Sequence, residues 1–198
     1  MSTVTISDTP FVGNDRLLVG IVLSVLTFWL FAQSVINVVP AMKSSLDISL
    51  ETLTLAVSLS ALFSGCFVVA SGGLADKFGR MRMTTLGLGL SIVGSAMLVV
   101  AQGPGLFLAG RVLQGLSAAC IMPATLALIK TWYEGRARQR AVSFWVIGSW
   151  GGSGLCSFVG GAIATGLGWR WIFVFSIAVA LLALFLLRGT PESRSASA

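Results

Sequence analysis

Gly72-Gly-Leu-Ala-Asp-Lys-Phe-Gly-Arg-Met-Arg82 is a short charged segment between two long uncharged ones. Residues 52–75 carry no charged side chain, and neither do residues 83–110. A helix needs about 20 apolar residues to cross the hydrocarbon core of a bilayer. The segment therefore reads as the tight link between two membrane spans. Outward from it the pattern repeats: residues 17–42, 112–129, 141–169 and 171–187 are also free of charge. The turn signal Gln102-Gly-Pro-Gly105 divides the third stretch, and the fourth helix then continues through Arg111. The expected spans are 17–41, 52–74, 83–101, 106–131, 141–165 and 170–187, giving an all-α membrane protein with six transmembrane helices. Residues 1–16 form a polar N-terminal tail, and residues 188–198 a polar tail or the start of a linker.

Composition agrees. Of 198 residues, 56% are hydrophobic and 10% charged, against about 25% charged in an average soluble domain. Such a chain cannot cover itself with polar groups in water, which excludes a soluble globular domain, a disordered chain and a secreted disulfide scaffold. Thirteen Lys and Arg against seven Asp and Glu give a net charge of +6. The basic residues gather at the ends of apolar runs, so the excess speaks for membrane orientation, not for a nucleic-acid partner. With the N-terminus inside, ten of them fall on the inner side, Lys43 and Arg170 fall outside, and Arg111 is embedded. That asymmetry places both termini in the cytoplasm. Cys66, Cys120 and Cys156 lie in apolar segments without a CxxC pair and read as small buried hydrophobes. There is no histidine, so no Ser–His or Cys–His dyad and no histidine metal site can form. Gly151-Gly-Ser-Gly154 mimics an intramembrane protease motif but lacks its base, and no phosphate-cradling loop occurs. No catalytic residue, metal or cofactor is expected, and the chain does not read as an enzyme.

In the charged link, Gly79 permits a backbone geometry that a side chain would hinder. Asp76 sits beside Lys77, Arg80 and Arg82, where it can pair with them. Ordinary interfacial anchoring is the bland alternative. The spacing G-x-L-A-D-K-x-G-R, from Gly72 to Arg80, resembles the loop signature between helices 2 and 3 of the major facilitator superfamily. Leu108-Ala-Gly-Arg-Val-Leu-Gln-Gly-Leu-Ser-Ala-Ala119 resembles the superfamily's helix 4 signature, which assigns a functional place to Arg111, Gln114 and Gly115. A charge near mid-membrane costs at least about 2.5–3.5 kcal/mol and is commonly functional. Arg111 is close enough to the outer end of its helix that snorkelling is the competing expectation.

Helix 5 carries small residues every fourth position: Gly148, Gly152, Cys156, Gly160 and Ala164. Such a stripe lets backbones approach closely in lipid. With Gly161 it resembles the antiporter signature of helix 5, although Cys156-Ser157 stands where that signature has Gly-Pro. In helix 1, Gln33 and Asn37 share a face, with Trp29 and Ser34 close to it. Inter-helix hydrogen bonding is the bland alternative there. The sharper one is a cavity wall suited to flat amphiphiles, with Trp145 and Trp150 from helix 5. Trp132, Tyr133, Trp169 and Trp171, at span ends, read as interfacial belt residues.

Phe31-Ala-Gln-Ser-Val-Ile-Asn-Val-Val-Pro40, Ile147-Gly-Ser-Trp-Gly-Gly-Ser-Gly154 and Gly168-Trp-Arg-Trp-Ile-Phe173 narrow the resemblance to the fourteen-helix drug:proton antiporters, on the quinolone-efflux side. It runs from about Asn14 to Glu192 and covers the N-terminal half of such a transporter. It implies one half bundle of 3+3 inverted repeats in a bacterial plasma membrane. The implied partners are the lipid bilayer, an amphiphilic small-molecule substrate, protons, and a C-terminal half or a second copy. All seven acids lie in tails, loops or span ends, so a titrating carboxylate is expected outside this stretch. Two other functions stay open: a metabolite porter of the same superfamily, and a non-transporting half that docks on another membrane protein.

Overall fold

The computed structural model describes residues 11–194, except the side chains of Phe31 and residues 33–37. Among the described residues there is no strand. The described residues form seven helices: α1 (Asp15–Leu46), α2 (Leu50–Phe78), α3 (Arg80–Val100), α4 (Pro104–Trp132), α5 (Gly135–Val146), α6 (Gly152–Leu167) and α7 (Arg170–Leu187). A π-helical turn, Ile147–Gly151, joins α5 to α6, so the two make one continuous rod, 135–167. The expected fifth span is therefore interrupted by a wide turn, and it needs no proline. Gly148, Gly151 and Gly152 supply the slack.

Local chemistry sets the boundaries. Asn14 caps α1 by accepting from the Leu17 N–H at 2.8 Å, and Ser49 caps α2 by accepting from Thr52. Pro104 opens α4, where its missing N–H costs nothing. Gly79 ends α2 at φ +126°, a conformation that disfavours any side chain.

Among the described residues, α2, α3, α4, the α5–α6 rod and α7 are each long and apolar enough to cross a membrane. The first expected span falls on α1, part of whose side chains lie outside the described ones. The packing is paired. α4 lies against α2 and α3, α1 lies against α6 and α7, α3 meets α7, and α1 meets α4. Glycines set the closest approaches. A Cβ on Gly94 would stand 2.9 Å from the Gly110 carbonyl oxygen, and one on Gly110 would stand 2.9 Å from that of Gly94. Without a hydrophobic drive between helices in lipid, such close van der Waals contact is what holds them.

In the core, a small apolar cluster of Ala75, Met83, Cys120 and Ala124 accompanies two large ones. One gathers Met42, Leu53, Leu98, Phe107, Trp169 and Phe173; the other, at the arginine-rich end, gathers Leu17, Ile21, Leu128, Tyr133 and Leu187. Large apolar side chains such as Val69, Phe158 and Trp150 lie on the outside, as expected of a surface facing lipid. Two expectations need correction. Trp169 and Tyr133 are core residues: Trp169 packs edge-on to Phe107 and Phe173. Arg170 stacks over the Trp169 ring and donates to the Val99 and Ala101 carbonyls at the end of α3, which draws the indole inward. Cys66 is exposed, on the outward face of α2, whereas Cys120 and Cys156 are buried.

Candidate functional site

Two polar clusters are organised around α4. The first forms at its arginine-rich end. Asp76, in the last turn of α2, accepts from Arg80 Nε at 3.0 Å and Nη2 at 2.8 Å. Gly79 turns the chain so that these two residues, four apart, meet across the link. Arg80 Nη1 donates to the Thr131 hydroxyl, which ties the link to the end of α4. Gly72 lies further back on α2, where a Cβ would be in ordinary contact with Pro123 of α4.

Glu192 completes this cluster. Its carboxylate accepts from the backbone N–H groups of Met81 and Arg82 at 2.8 and 2.9 Å, and Arg80 N–H donates to the Ser193 carbonyl at 3.0 Å. The first turn of α3 has N–H groups with no helical partner and a positive dipole end, and Glu192 meets both. A Cβ on Gly79 would stand 2.4 Å from the Glu192 carboxyl carbon, so the glycine also makes room for this contact.

The second cluster lies inside the bundle. Arg111 is 0% exposed. Its Nη1 donates to Gln114 Oε1 at 2.9 Å, its Nη2 to Ser60 Oγ at 2.7 Å, and its Nε to the Ala56 carbonyl at 3.3 Å. Gln114 Nε2 donates in turn to Ser95 Oγ at 3.2 Å. One guanidinium thus joins α2 and α4, and one amide carries the link on to α3. Snorkelling is excluded: these bonds run across the bundle rather than toward its end. Gly115 makes the junction possible, because a Cβ there would stand 2.4 Å from the Ser60 carbonyl oxygen.

The stripe on the α5–α6 rod faces α1. Gly148, Gly152, Cys156 and Gly160 are buried; a Cβ on Gly152 would stand 2.6 Å from Leu26, and one on Gly148 would stand 3.2 Å from Val22. A Cβ on Gly161 would meet no described neighbour within 4 Å, and the glycine lines an open cleft with Val38, Pro40 and Thr165. The cavity candidates take different environments. Trp29 packs on Gly152, and its ring N–H is buried with no hydrogen-bond partner among the described residues. Trp145 donates to Thr125 Oγ1 at 3.1 Å and so is tied to α4. Trp150, on the π-turn, is 76% exposed. Gln33, Ser34 and Asn37 lie on α1, but their side chains fall outside the described ones.

The sequence model of the Major Facilitator Superfamily matches residues 17–198. The chain belongs to the Major Facilitator Superfamily. It is thus a multi-pass membrane protein of a transporter family and not an enzyme. It is 60% identical over 191 residues to the quinolone resistance protein NorB of Staphylococcus aureus strain JH9, covering 96% of this chain and 41% of that relative. NorB of strain Newman matches equally. The chain therefore spans less than half the length of these curated relatives. The fold resembles that of the Major Facilitator proton:xylose symporter XylE, with a TM-score of 0.79 at 18% identity over 90% of this chain and 45% of that one. It also resembles the peptide transporter POT, with a TM-score of 0.77 at 18% identity over 88% of this chain and 37% of that one.

On this Major Facilitator framework, four polar partners escaped the sequence. Ser60, Ser95 and Thr131 are single hydroxyl residues in apolar runs, like many others in the chain that bond only to their own helix. Glu192 had one signal: it is the only acid after Glu134, and it follows the last span closely.

Proposed function

We propose that this chain is the N-terminal half of a proton-driven exporter of amphiphilic compounds of the quinolone type. In this proposal six spans form 3+3 inverted repeats in a bacterial plasma membrane, with both termini in the cytoplasm. The observation that carries it is the 60% identity to the quinolone resistance protein NorB across 96% of the chain. The packing supports the repeat: α4 between α2 and α3 mirrors α1 between the α5–α6 rod and α7. The charge asymmetry of the loops supports the orientation.

Two features assign roles within the half. The Asp76–Arg80–Thr131 cluster and its Glu192 brace hold the link between α2 and α3 to α4 at the surface from which a substrate would enter. Arg111 stays protonated at any working pH. It therefore cannot carry the proton, but its charge favours the ionised form of a carboxylate brought near it. The described acids sit at helix ends or in connecting segments, so the proton-carrying carboxylate belongs to a partner half or a second copy. Alternating access then rocks this bundle against that partner about a common cavity.

The test is norfloxacin accumulation in an efflux-deficient bacterium that expresses the chain together with a C-terminal half. Lower accumulation, abolished by a protonophore and by Arg111→Ala, is the expected result. Unchanged accumulation in every strain would leave a docking role. Movement only of a sugar or amino acid would point to a metabolite porter.

A further inference from the structure

The first turn of α1 sends its two charges in different directions. Asp15 pairs with Arg140 at 3.2 Å on the α5 side. Arg16 turns toward α7, where its guanidinium lies 5.5 Å over the Phe185 ring and Nη2 donates to the Phe185 carbonyl at 2.9 Å. Between the start of α1 and the end of α7 there is a cleft of about 140 Å³. Arg16 and Arg188 line it together with the polar side chains of Asn14 and Thr190, and Leu186 and Phe11 form its apolar wall.

Three observations define what fits there. Among the described residues, no carboxylate lines the cleft and neither Arg16 nor Arg188 forms a salt bridge. Its described lining therefore brings two guanidinium groups and no counter-charge, unlike the neighbouring crevice at Asp15 and Arg140. Next, the uncharged run 17–42 begins one residue after Arg16, and the run 171–187 ends one residue before Arg188. Both guanidinium groups thus sit where two spans leave the hydrocarbon. Finally, Leu181, Leu182 and Phe185 of α7 are exposed, so an apolar surface leads down from the cleft along the helix. Planar guanidinium forks match phosphate oxygens in charge and geometry.

We infer that this cleft between α1 and α7 binds the phosphate group of an anionic phospholipid through Arg16 and Arg188, with the acyl chains lying along the exposed face of α7. The phosphodiester neutralises the two charges, and Asn14 and Thr190 provide further polar contacts. The ligand joins the first and last helices of the bundle at the surface where the polypeptide enters and leaves it. The inference does not depend on transport, so it can fail or hold without altering the proposed function.

Native mass spectrometry of the chain, released from nanodiscs of phosphatidylglycerol or of phosphatidylcholine, tests it. One retained phosphatidylglycerol is expected, with phosphatidylcholine lost. Arg188→Gln should weaken retention about fivefold, from the worth of one basic residue near an anionic surface. Arg16→Gln should do at least as much. Because Arg16 also caps α7, Arg188→Gln is the cleaner variant, and its melting temperature in detergent without lipid should match that of the unmodified chain. Equal retention by the unmodified chain and Arg188→Gln would overturn the inference. So would inorganic phosphate binding with the same arginine dependence while phosphatidylglycerol is not retained, since the ligand would then be a soluble phosphate.

Discussion

α4 carries two arginine-centred polar clusters, one at its end and one inside the bundle, and the two are built differently. At the Thr131 end, Arg80 meets a carboxylate whose side chain is 42% exposed. Near the Pro104 end, Arg111 is sealed in the bundle, bonded to a backbone carbonyl, an amide and a hydroxyl. Water accounts for the difference. At the bundle's end an ion pair can open and rehydrate, so it can hold a link that moves. In the interior every donor must be satisfied by groups already in place, and the cluster works as a fixed joint among α2, α3 and α4. The contrast separates a latch from a joint, and each can be broken separately.

The largest effect is expected at the joint's geometry. Gly115→Val drives a side chain into the Ser60 backbone and forces α2 from α4. It should cost about 3 kcal/mol or more and appear as a collapse of the melting temperature in detergent. Gln114→Leu keeps the volume but removes the acceptor of Arg111 and the donor to Ser95. It should cost about 1–3 kcal/mol, independent of salt. Asp76→Asn breaks the latch at a partly exposed pair and should cost about 0.5 kcal/mol, with the difference from the unmodified chain vanishing at high salt. A salt-sensitive Gln114 variant or a salt-insensitive Asp76 variant would erase the distinction between the two clusters.

The smallest effect concerns Tyr133, just beyond the end of α4. Its hydroxyl donates to the Asn14 carbonyl at 2.6 Å. Burial, reinforced by the negative charge of Asp15, pushes it up from the ordinary value of 10 to about 12. Between these values the unfolded chain loses the proton and the folded chain keeps it. Stability is therefore intact below pH 10 and declines as pH rises toward 12. Tyr133→Phe should remove that part of the decline, measured as melting temperature against pH.

How far the sequence could be followed varies along these clusters. Asp76 and Arg80 are four residues apart around a glycine, so their meeting was legible. Arg111 and Gln114 are three apart on one helix and were legible too. Ser60 lies 51 residues from Arg111, and Glu192 lies 111 residues from Met81. Nothing local distinguishes Ser60 from Ser64, or predicts that a polar tail folds back onto a helix start. The tryptophans show the same limit. Trp145 and Trp150 are five apart on one rod, yet one is tied to α4 and the other is exposed. The π-turn between α5 and α6, for which the glycines provide room without announcing its place, re-registers the helix there.

The order of residues alone set the alternation of uncharged runs with charged links, because the cost of charge in hydrocarbon depends on composition and length. It also determined where backbones could come close, since only a missing side chain allows that. The tertiary structure alone decided which hydroxyl each guanidinium reaches, which aromatic ring turns inward, and that the start of α1 and the end of α7 enclose a cleft. These depend on distances between helices, and such distances exist only once the helices have packed.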